Sequence, residues 1–591
     1  SASDPPRPPG RWQPRHAAEP DAAAVAALAT RLRLPDPVCR LLVLRGHGDE
    51  PLARRYLRPP LDALADPASM AGIDAAVARI CAAIDRDETI LVHGDYDVDG
   101  MCAAALFTRV LRELGARVEG FVPHRVRDGY DLGAGGLAEA KRVGARLLLT
   151  ADCGMLAHDA IRAARAVGLD VVVTDHHTPG PTLPEALAVV NPGRPDCAYP
   201  EKGLCGTGVA FKVCWALARA RGHDPTVLRW YLDLVALATV ADIMPLAGEN
   251  RVMVHFGLRV LRETRNAGLS ALLEVAGLAD TAPLASGHLS HALGPRLNAV
   301  GRLDDAALGL RLLLTDDPAE AARLARRLEE ENTRRQRIDR DMLAQALEQL
   351  ERGFDPERDR GVVLAGEGWH PGVIGIVASR VVERIHRPTI MVALDGGRAR
   401  GSGRSIPGFD LVAALRECAP LLERFGGHRM AAGMDLLPGR VDAFREAFDA
   451  VARARLGPEQ LVPATAFDLE LRLADAGPEL HRFLRYMAPF GVGNPTPVFV
   501  ARGVSVDGAP RVVGRDHLRL GLVQDGARLG AIGFRMADRA AELAGEGARL
   551  DVAFQLHEDE WRGRRRLQAK LVDLRPAEGL ARRGERAAIP A

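Results

Sequence analysis

Between residues 88 and 191, short β-branched runs alternate with amphipathic stretches: TILVHGDYD, AAALFTRVLREL, RVEGFVPH, GLAEAKRVG, ARLLLTADCG, HDAIRAARAVG, LDVVVTDHH and LAVVNP. Strand and helix in alternation, joined by short connections, form βαβ units. Such units require a parallel sheet with helices on both faces. In a doubly wound sheet the loops at the carboxyl ends of the strands gather at one crevice, so residues remote along the chain meet wherever those loops carry chemistry.

Three of these strands end in candidate metal ligands. The first runs into HGDYDVDG, where His93, Asp95, Asp97 and Asp99 are crowded together. Three carboxylates at the end of a buried strand repel one another unless a cation offsets the charge. The third strand ends in TADCG with Asp152, and the fourth in TDHH with His176 and His177. A single Asp in such a place is ordinarily a helix cap or turn residue, and a single His a surface or hydrogen-bonded core residue. Three such endings in one crossover domain point instead to a metal centre. Mixed Asp and His ligands without thiolate favour Mn²⁺ or Mg²⁺ over structural zinc, and the number of carboxylates suggests two ions sharing an Asp. Two such ions would activate a water and stabilise the leaving oxygen of a phosphoester. Phosphoester hydrolysis is the chemistry to expect.

HGDYDVDG, TADCG and TDHH together resemble the DHH phosphoesterase superfamily. ALATVADIMPL (236–246) resembles its fourth motif, GPRLNAVGRLDD (294–305) the segment that follows, and FGGHRMAAG (425–433) the Gly-Gly-His motif of the DHH-associated domain. The likeness runs from about residue 80 to 570 and is fullest to the single-strand-specific DNA exonucleases of the superfamily. Carried over by position, it implies metal ligation by His93, Asp97, Asp99, Asp152, His176 and Asp242, with Asp152 bridging. Asp95 stays open between ligating a metal and orienting a ligand. His177 is expected closer to the scissile phosphate than to the metal, which groups His177, Asp95 and Asp152 as catalytic. Asp233, an alternative to Asp242, lies in an apolar helical pattern and reads as structural. Polarity from 5′ to 3′, release of mononucleotides, roles in repair and recombination, and the company of single-strand-binding protein and helicases are implied by the resemblance alone.

A chain of 591 residues with 47% hydrophobic content is too long for one core and divides into three or four domains. The expected architecture is α/β: a parallel-sheet DHH domain at 86–315, a connecting helix at 316–355, a second α/β DHH-associated domain at 356–458, and an OB-fold-like β-barrel at 463–575. A flexible leader with a helical lead-in (1–85) and a mobile tail (576–591) complete it. The net charge of +1 excludes a globally basic nucleic-acid binder but leaves room for local basic surfaces. Eight cysteines without a CxxC pair give no zinc ribbon and no disulfide framework. No run approaches the roughly 20 apolar residues that span a bilayer, so a cytoplasmic monomer without membrane contact is the expectation.

A hydrolytic site does not choose its substrate, so the flanking segments must hold single-stranded DNA. GGRARGSGRSIPG (396–408) reads as a Gly-rich loop whose Ser402, Arg404 and Ser405 could cradle a terminal phosphate; a solvated hairpin is the plain alternative. Gly426, Gly427 and His428 offer backbone that approaches phosphate closely beside an imidazole, or simply a turn. HPGVIGIVASR, beginning at His370, opens a helix whose first amides favour an anion. Arg296, Asn298 and Arg302 are candidate partners for the strand backbone. In the barrel, Trp561 in WRGRRR is the clearest candidate for base stacking, a solvated hairpin tip being the plain alternative, and Phe499, Phe534 and Phe554 are either further aromatic supply or core. A strand threading between the two α/β domains, spaced by the long helix, would join these parts. Two other functions fit less of the sequence: a DHH phosphodiesterase acting on short oligonucleotides or cyclic dinucleotides, and a non-catalytic single-strand-binding scaffold.

Overall fold

The alternating segment builds a five-stranded, wholly parallel sheet from β1 (Ile90–Gly94), β2 (Val118–Phe121), β3 (Leu147–Ala151), β4 (Asp170–Thr174) and β5 (Ala188–Val190), in the order β2-β1-β3-β4-β5. Period two sends alternate residues to opposite faces. Ile90, Val92, Leu147, Leu149 and Val172 enter one core, and Leu91, Leu148, Val171 and Val173 enter a second core on the other face. The expected helices on both sides are what bury those two faces. The computed structural model describes residues 10–577 except 126, 130, 515, 544–548 and 562–563, and only the backbone of 541, 542, 560, 561 and 564. The first nine residues and the tail beyond 577, expected to be mobile, lie outside the described residues.

The chain divides into two compact units, one of residues 59–338 and 489–495, the other of 1–58, 339–488 and 496–591. The first unit contains the parallel sheet and the helices that frame its crevice: α1 (Val98–Glu113), α2 (Gly206–Ala220), α3 (Leu232–Ala241) and α4 (Gly294–Leu303). The expected long helix is α5 (Pro318–Gly353), 36 residues and so about 54 Å in length. The division between units falls inside it. Among the described residues no single helix is long and apolar enough to cross a membrane.

In the second unit, β6 (Val362–Glu367), β7 (Thr389–Asp395), β8 (Arg398–Arg404), β9 (Arg424–Gly427) and β10 (Ala431–Leu436) form a mixed sheet in the order β9-β10-β8-β7-β6, with α6 (Ile374–Ile385) crossing from β6 to β7. The Gly-rich segment is therefore not a loop. Its glycines are small for a packing reason: a Cβ at Gly403 would press on Leu411 and Ile390, and one at Gly401 on Met434. Strand alternation leaves Arg398, Arg400, Ser402 and Arg404 together on the opposite face.

The barrel is closed by β11 (Phe499–Val513), β12 (His517–Gln524), β13 (Ala527–Gly533), β14 (Arg549–Trp561) and β15 (Arg564–Pro576), paired 1-2-3-5-4 with β11 returning to β14. It is not wholly antiparallel, because β13 and β15 run parallel. The start of the expected barrel segment, AFDLELRL, lies outside the closed ring: Leu469–Glu470 adds to β11 in parallel, and Ala464–Phe467 pairs in parallel with Arg11–Pro14. Those N-terminal residues are thus a strand and not a frayed leader. Trp12 donates from Nε1 to Asp573 at 2.7 Å and its ring carries the Arg575 guanidinium at 4.4 Å.

Candidate metal centre and phosphate site

Every charged group expected at the crevice except His93 collects at the carboxyl ends of β1, β3 and β4. Three sets of ligand atoms each lie within 4.8 Å of one another: Asp152, His176 and His177; Asp99, His176 and Asp242; and Asp95, Asp97 and Asp152. Asp152 and His176 each belong to two sets. His176 Nε2 lies 3.1 Å from Asp152 Oδ1, 3.6 Å from Asp242 Oδ2 and 3.8 Å from Asp99 Oδ2. Asp242 caps the carboxyl end of α3. Asp233, at the start of that helix, is buried and accepts a 2.6 Å hydrogen bond from Thr264 Oγ1, which is the structural role expected of it.

The local fold holds this crowd in place. Asp97 caps α1 by accepting from the Gly100 N–H at 3.0 Å. Asp99 receives the first amides of α2, from Gly206 and Thr207 at 2.7 Å each, and the Thr207 hydroxyl at 2.6 Å. The positive end of α2 and these donors compensate part of its charge. Asp152 sits at φ 68°, in the left-handed region that Asp tolerates better than bulkier residues. A Cβ at Gly206 would overlap the Asp152 side chain, so glycine is what lets α2 approach.

Charge in the cluster remains unbalanced. Burial, then Asp99 and Asp97, push the Asp152 carboxyl well above the usual range; burial and Asp97 do the same to Asp95. Asp97 is raised by burial and Asp99, and Asp242 is pushed up to about 8 by burial and Asp99. Burial pulls His176 down against the attraction of Asp99. Asp95 Oδ1, Asp152 Oδ1 and His176 Nε2 are buried and make no hydrogen bond. Buried polar atoms without partners are costly, and an oxygen-rich set completed by imidazole suits Mn²⁺ or Mg²⁺. The nearby thiols of Cys153 and Cys205 are pushed well up by burial and belong to none of the three ligand sets.

His93 does not join the cluster. It alternates with Leu91 on β1, and its ring packs on Phe121 at 5.3 Å, with Nδ1 3.6 Å from Cys153 Sγ. Burial lowers its pKa to about 4. Two residues not singled out in the sequence matter here. Asp175 accepts from the amides of His176 and His177 and pairs with His177 Nδ1 at 2.8 Å. Burial alone would lower His177, but that bond to Asp175 pushes it up to about 9. Arg125 lies over the Tyr96 ring at 5.0 Å and close enough to Asp95 to draw its pKa down. The first D of DHH was the available signal for Asp175; nothing in the sequence marked Arg125.

The other expected substrate residues of this unit are engaged by the protein. Arg296 pairs with Glu329 and donates to the Ala292 carbonyl at 2.8 Å, and Asn298 Oδ1 accepts from the Val98 N–H at 3.2 Å. Arg302 lies within electrostatic range of the Tyr96 phenol.

In the second unit Arg404 is mostly buried, and burial pushes its pKa down. Its hydrogen bonds go to Ser402 Oγ at 3.3 Å and the Gly403 carbonyl at 2.9 Å, with no carboxylate partner among the described residues. A Cβ at Gly375 would press on both Ser402 Oγ and Arg404 Nη2, so the guanidinium lies against the first turn of α6. His370 Nδ1 accepts from the Gly372 N–H at 3.0 Å just ahead of that turn. Ala431 pairs opposite Arg404, which brings exposed Gly426 and Gly427, the end of β9, and His428, where the chain turns into β10, to the same end of the sheet. Gly427 has φ 138°, and a Cβ there would meet the Ala431 carbonyl, so this turn demands glycine. Ser405 faces inward instead, its hydroxyl donating to the Phe409 carbonyl at 2.8 Å. In the barrel, Phe499 and Phe554 are core, their rings 6.0 Å apart, while Phe534 is 45% exposed beside Lys570 and His517. Trp561 ends β14, and its side chain lies outside the described residues.

A parallel α/β sheet with Asp and His at its strand ends, a second α/β module and a closed five-stranded barrel define a DHH phosphoesterase with an appended OB domain. The chain matches the N-terminal domain of the DHH family over residues 89–239, the DHHA1 domain over 359–454 and the RecJ OB domain over 467–573. It is 36% identical over 572 residues to the single-stranded-DNA-specific exonuclease RecJ of Bacillus subtilis, covering 96% of this chain and 71% of that one. With RecJ of Dickeya dadantii it is 39% identical over 568 residues, 92% and 96% of the two chains. The fold is similar to that of RecJ from Thermus thermophilus in complex with Mn²⁺, with a TM-score of 0.82 at 35% identity over 96% of this chain and 80% of that one. The chain belongs to the RecJ family of single-stranded-DNA-specific exonucleases.

Proposed function

We propose that this protein is a metal-dependent exonuclease that degrades single-stranded DNA from its 5′ end by two-metal phosphodiester hydrolysis, releasing mononucleotides in repair and recombination. The observation that carries the reading is the sharing of Asp152 between ligand sets, since a carboxylate, with two oxygens, can serve two adjacent cations. Asp97, Asp99, Asp152, His176 and Asp242 would hold the ions, with Asp95 completing one set. Bound Mn²⁺ or Mg²⁺ would neutralise the carboxylates, favour deprotonation of the attacking water and stabilise charge on the phosphoryl oxygens.

The remaining work falls to the chain itself. His177, raised to about 9 by its bond to Asp175, would present its imidazolium to the scissile phosphate or the departing oxygen. Arg125, steadied on Tyr96, adds positive charge at the Asp95 side of the crevice. Arg404, Ser402 and the first turn of α6 would take the terminal phosphate, since a buried guanidinium without a carboxylate fits a phosphate dianion. The barrel would hold the trailing strand. Residues 86–315, 356–458 and 463–575 would then divide cleavage, end recognition and strand retention among them. A cytoplasmic monomer working beside single-strand-binding protein and helicases completes the reading.

The test is digestion of single strands labelled at either end, with Mn²⁺, Mg²⁺ or chelator present. Labelled mononucleotide released first from the 5′ label, only with metal, is the expected result. Early release from the 3′ label, or cleavage confined to di- and trinucleotides, would refute it.

A further inference from the structure

Helix α3 ends at the metal-site candidate Asp242 in a Schellman motif: Ile243 donates to the Val240 carbonyl at 3.3 Å and Met244 to the Thr239 carbonyl at 3.0 Å. The residue after the cap in this motif takes left-handed dihedrals and is usually glycine. Here it is isoleucine, with φ 61°. A β-branched side chain is among the worst for that region, and strain of this kind persists where the side chain serves a function. No packing repays it, because Ile243 is 69% exposed. The apolar contact that usually closes such a motif is made by the next residue, Met244, which packs on the core.

Ile243 also has exposed apolar neighbours. Pro245 is exposed, and Leu246 donates to the Val492 carbonyl at 2.7 Å, which holds Val492, itself 49% exposed, against the same turn. A charged crevice is thus edged at Asp242 by an apolar rim. Single-stranded DNA has the matching division: phosphates for the charged pocket and nucleobases as its apolar faces. We infer that Ile243 is a positioning residue that packs against the nucleobase flanking the scissile phosphate, with Val492 extending the contact. This rests on the exonuclease reading given above and adds to it the group that aligns the nucleotide next to the cleaved bond.

The test pairs two enzymes with two substrates in the full-length protein with Mn²⁺. One substrate is a 5′-phosphorylated oligothymidylate, and the other has abasic tetrahydrofuran units at its first two positions. Ile243→Gly removes the side chain and suits the left-handed dihedrals, so the variant should melt no lower than the wild type; Ile243→Asn, which also tolerates that conformation, repeats the test with a polar side chain. Loss of one apolar contact predicts roughly a ten-fold fall in kcat/KM on the thymidylate strand for either variant. The abasic strand should cost the wild type the same factor, with variants and wild type within about two-fold on it. Equal kcat/KM for variant and wild type on thymidylate, or a ten-fold loss by the variants on both strands, overturns the assignment. A wild type that degrades both strands equally overturns this inference alone, and one that degrades neither overturns it together with the exonuclease reading.

Discussion

The crevice of the parallel sheet and the Arg404 cradle of the second α/β module are opposite solutions to one electrostatic problem. The crevice gathers carboxylates from two strand ends and a helix end, raising their pKa values by burial and mutual repulsion. The cradle buries one guanidinium with only a hydroxyl and a carbonyl for company. In each case the unbalanced charge is a cost to folding that a guest of opposite sign would remove: a divalent cation in one and, on the function proposed above, a phosphate in the other. Arg296, paired with Glu329, shows what a cation looks like when the protein supplies the counter-ion itself.

The comparison can be broken most sharply at Asp152. Asp152→Asn keeps the shape and tolerates the left-handed dihedrals. Nucleotide release should fall about 10³-fold or more, while the metal-free protein should unfold at a higher temperature because one buried like charge is gone. A metal-free variant that melts below the wild type would mean that the cluster is not repulsive as described. Next in size is the response to metal. Mn²⁺ at 100 times its dissociation constant should stabilise the wild type by about 2.7 kcal/mol, read as a calorimetric shift that Asp152→Asn largely abolishes. For the cradle, Arg404→Met should raise KM for 5′-phosphorylated strands roughly 30-fold and erase their preference over 5′-hydroxyl strands. Its unfolding midpoint should hold or rise, since a desolvated charge is replaced by apolar volume. Arg296→Ala should change KM by no more than about three-fold. A larger effect would show that its pairing with Glu329 gives way to the substrate.

The sequence carried the parallel sheet, the long helix and the convergence of strand ends because each follows from periodicity and chain order. Side-chain direction was harder to read. The spacing H-x-x-x-D-x-D places His93 beside Asp97 and Asp99, but strand alternation commits its ring to the face shared with Leu91 and Phe121. The same alternation was legible and overlooked in RARGSGR, where glycine suggested a loop although Arg400, Ser402 and Arg404 sit at every second position. Contacts made through space left no local trace. Thr207 on Asp99 and Arg125 on Tyr96 join segments with no periodic relation. Arg11–Pro14 likewise read as a leader because its partner strand is encoded far downstream.

That last pairing bears on how the molecule is made. Trp12 emerges from the ribosome long before its hydrogen-bond acceptor Asp573, 561 residues further on, and Arg11–Pro14 waits nearly as long for Ala464–Phe467. The unit formed by residues 59–338 and 489–495 can complete most of its contacts while translation continues. The other unit, assembled from three separate stretches, cannot make these pairings until residues 464–467 and Asp573 have been synthesised, and contacts so far apart along the chain are intrinsically slow to form.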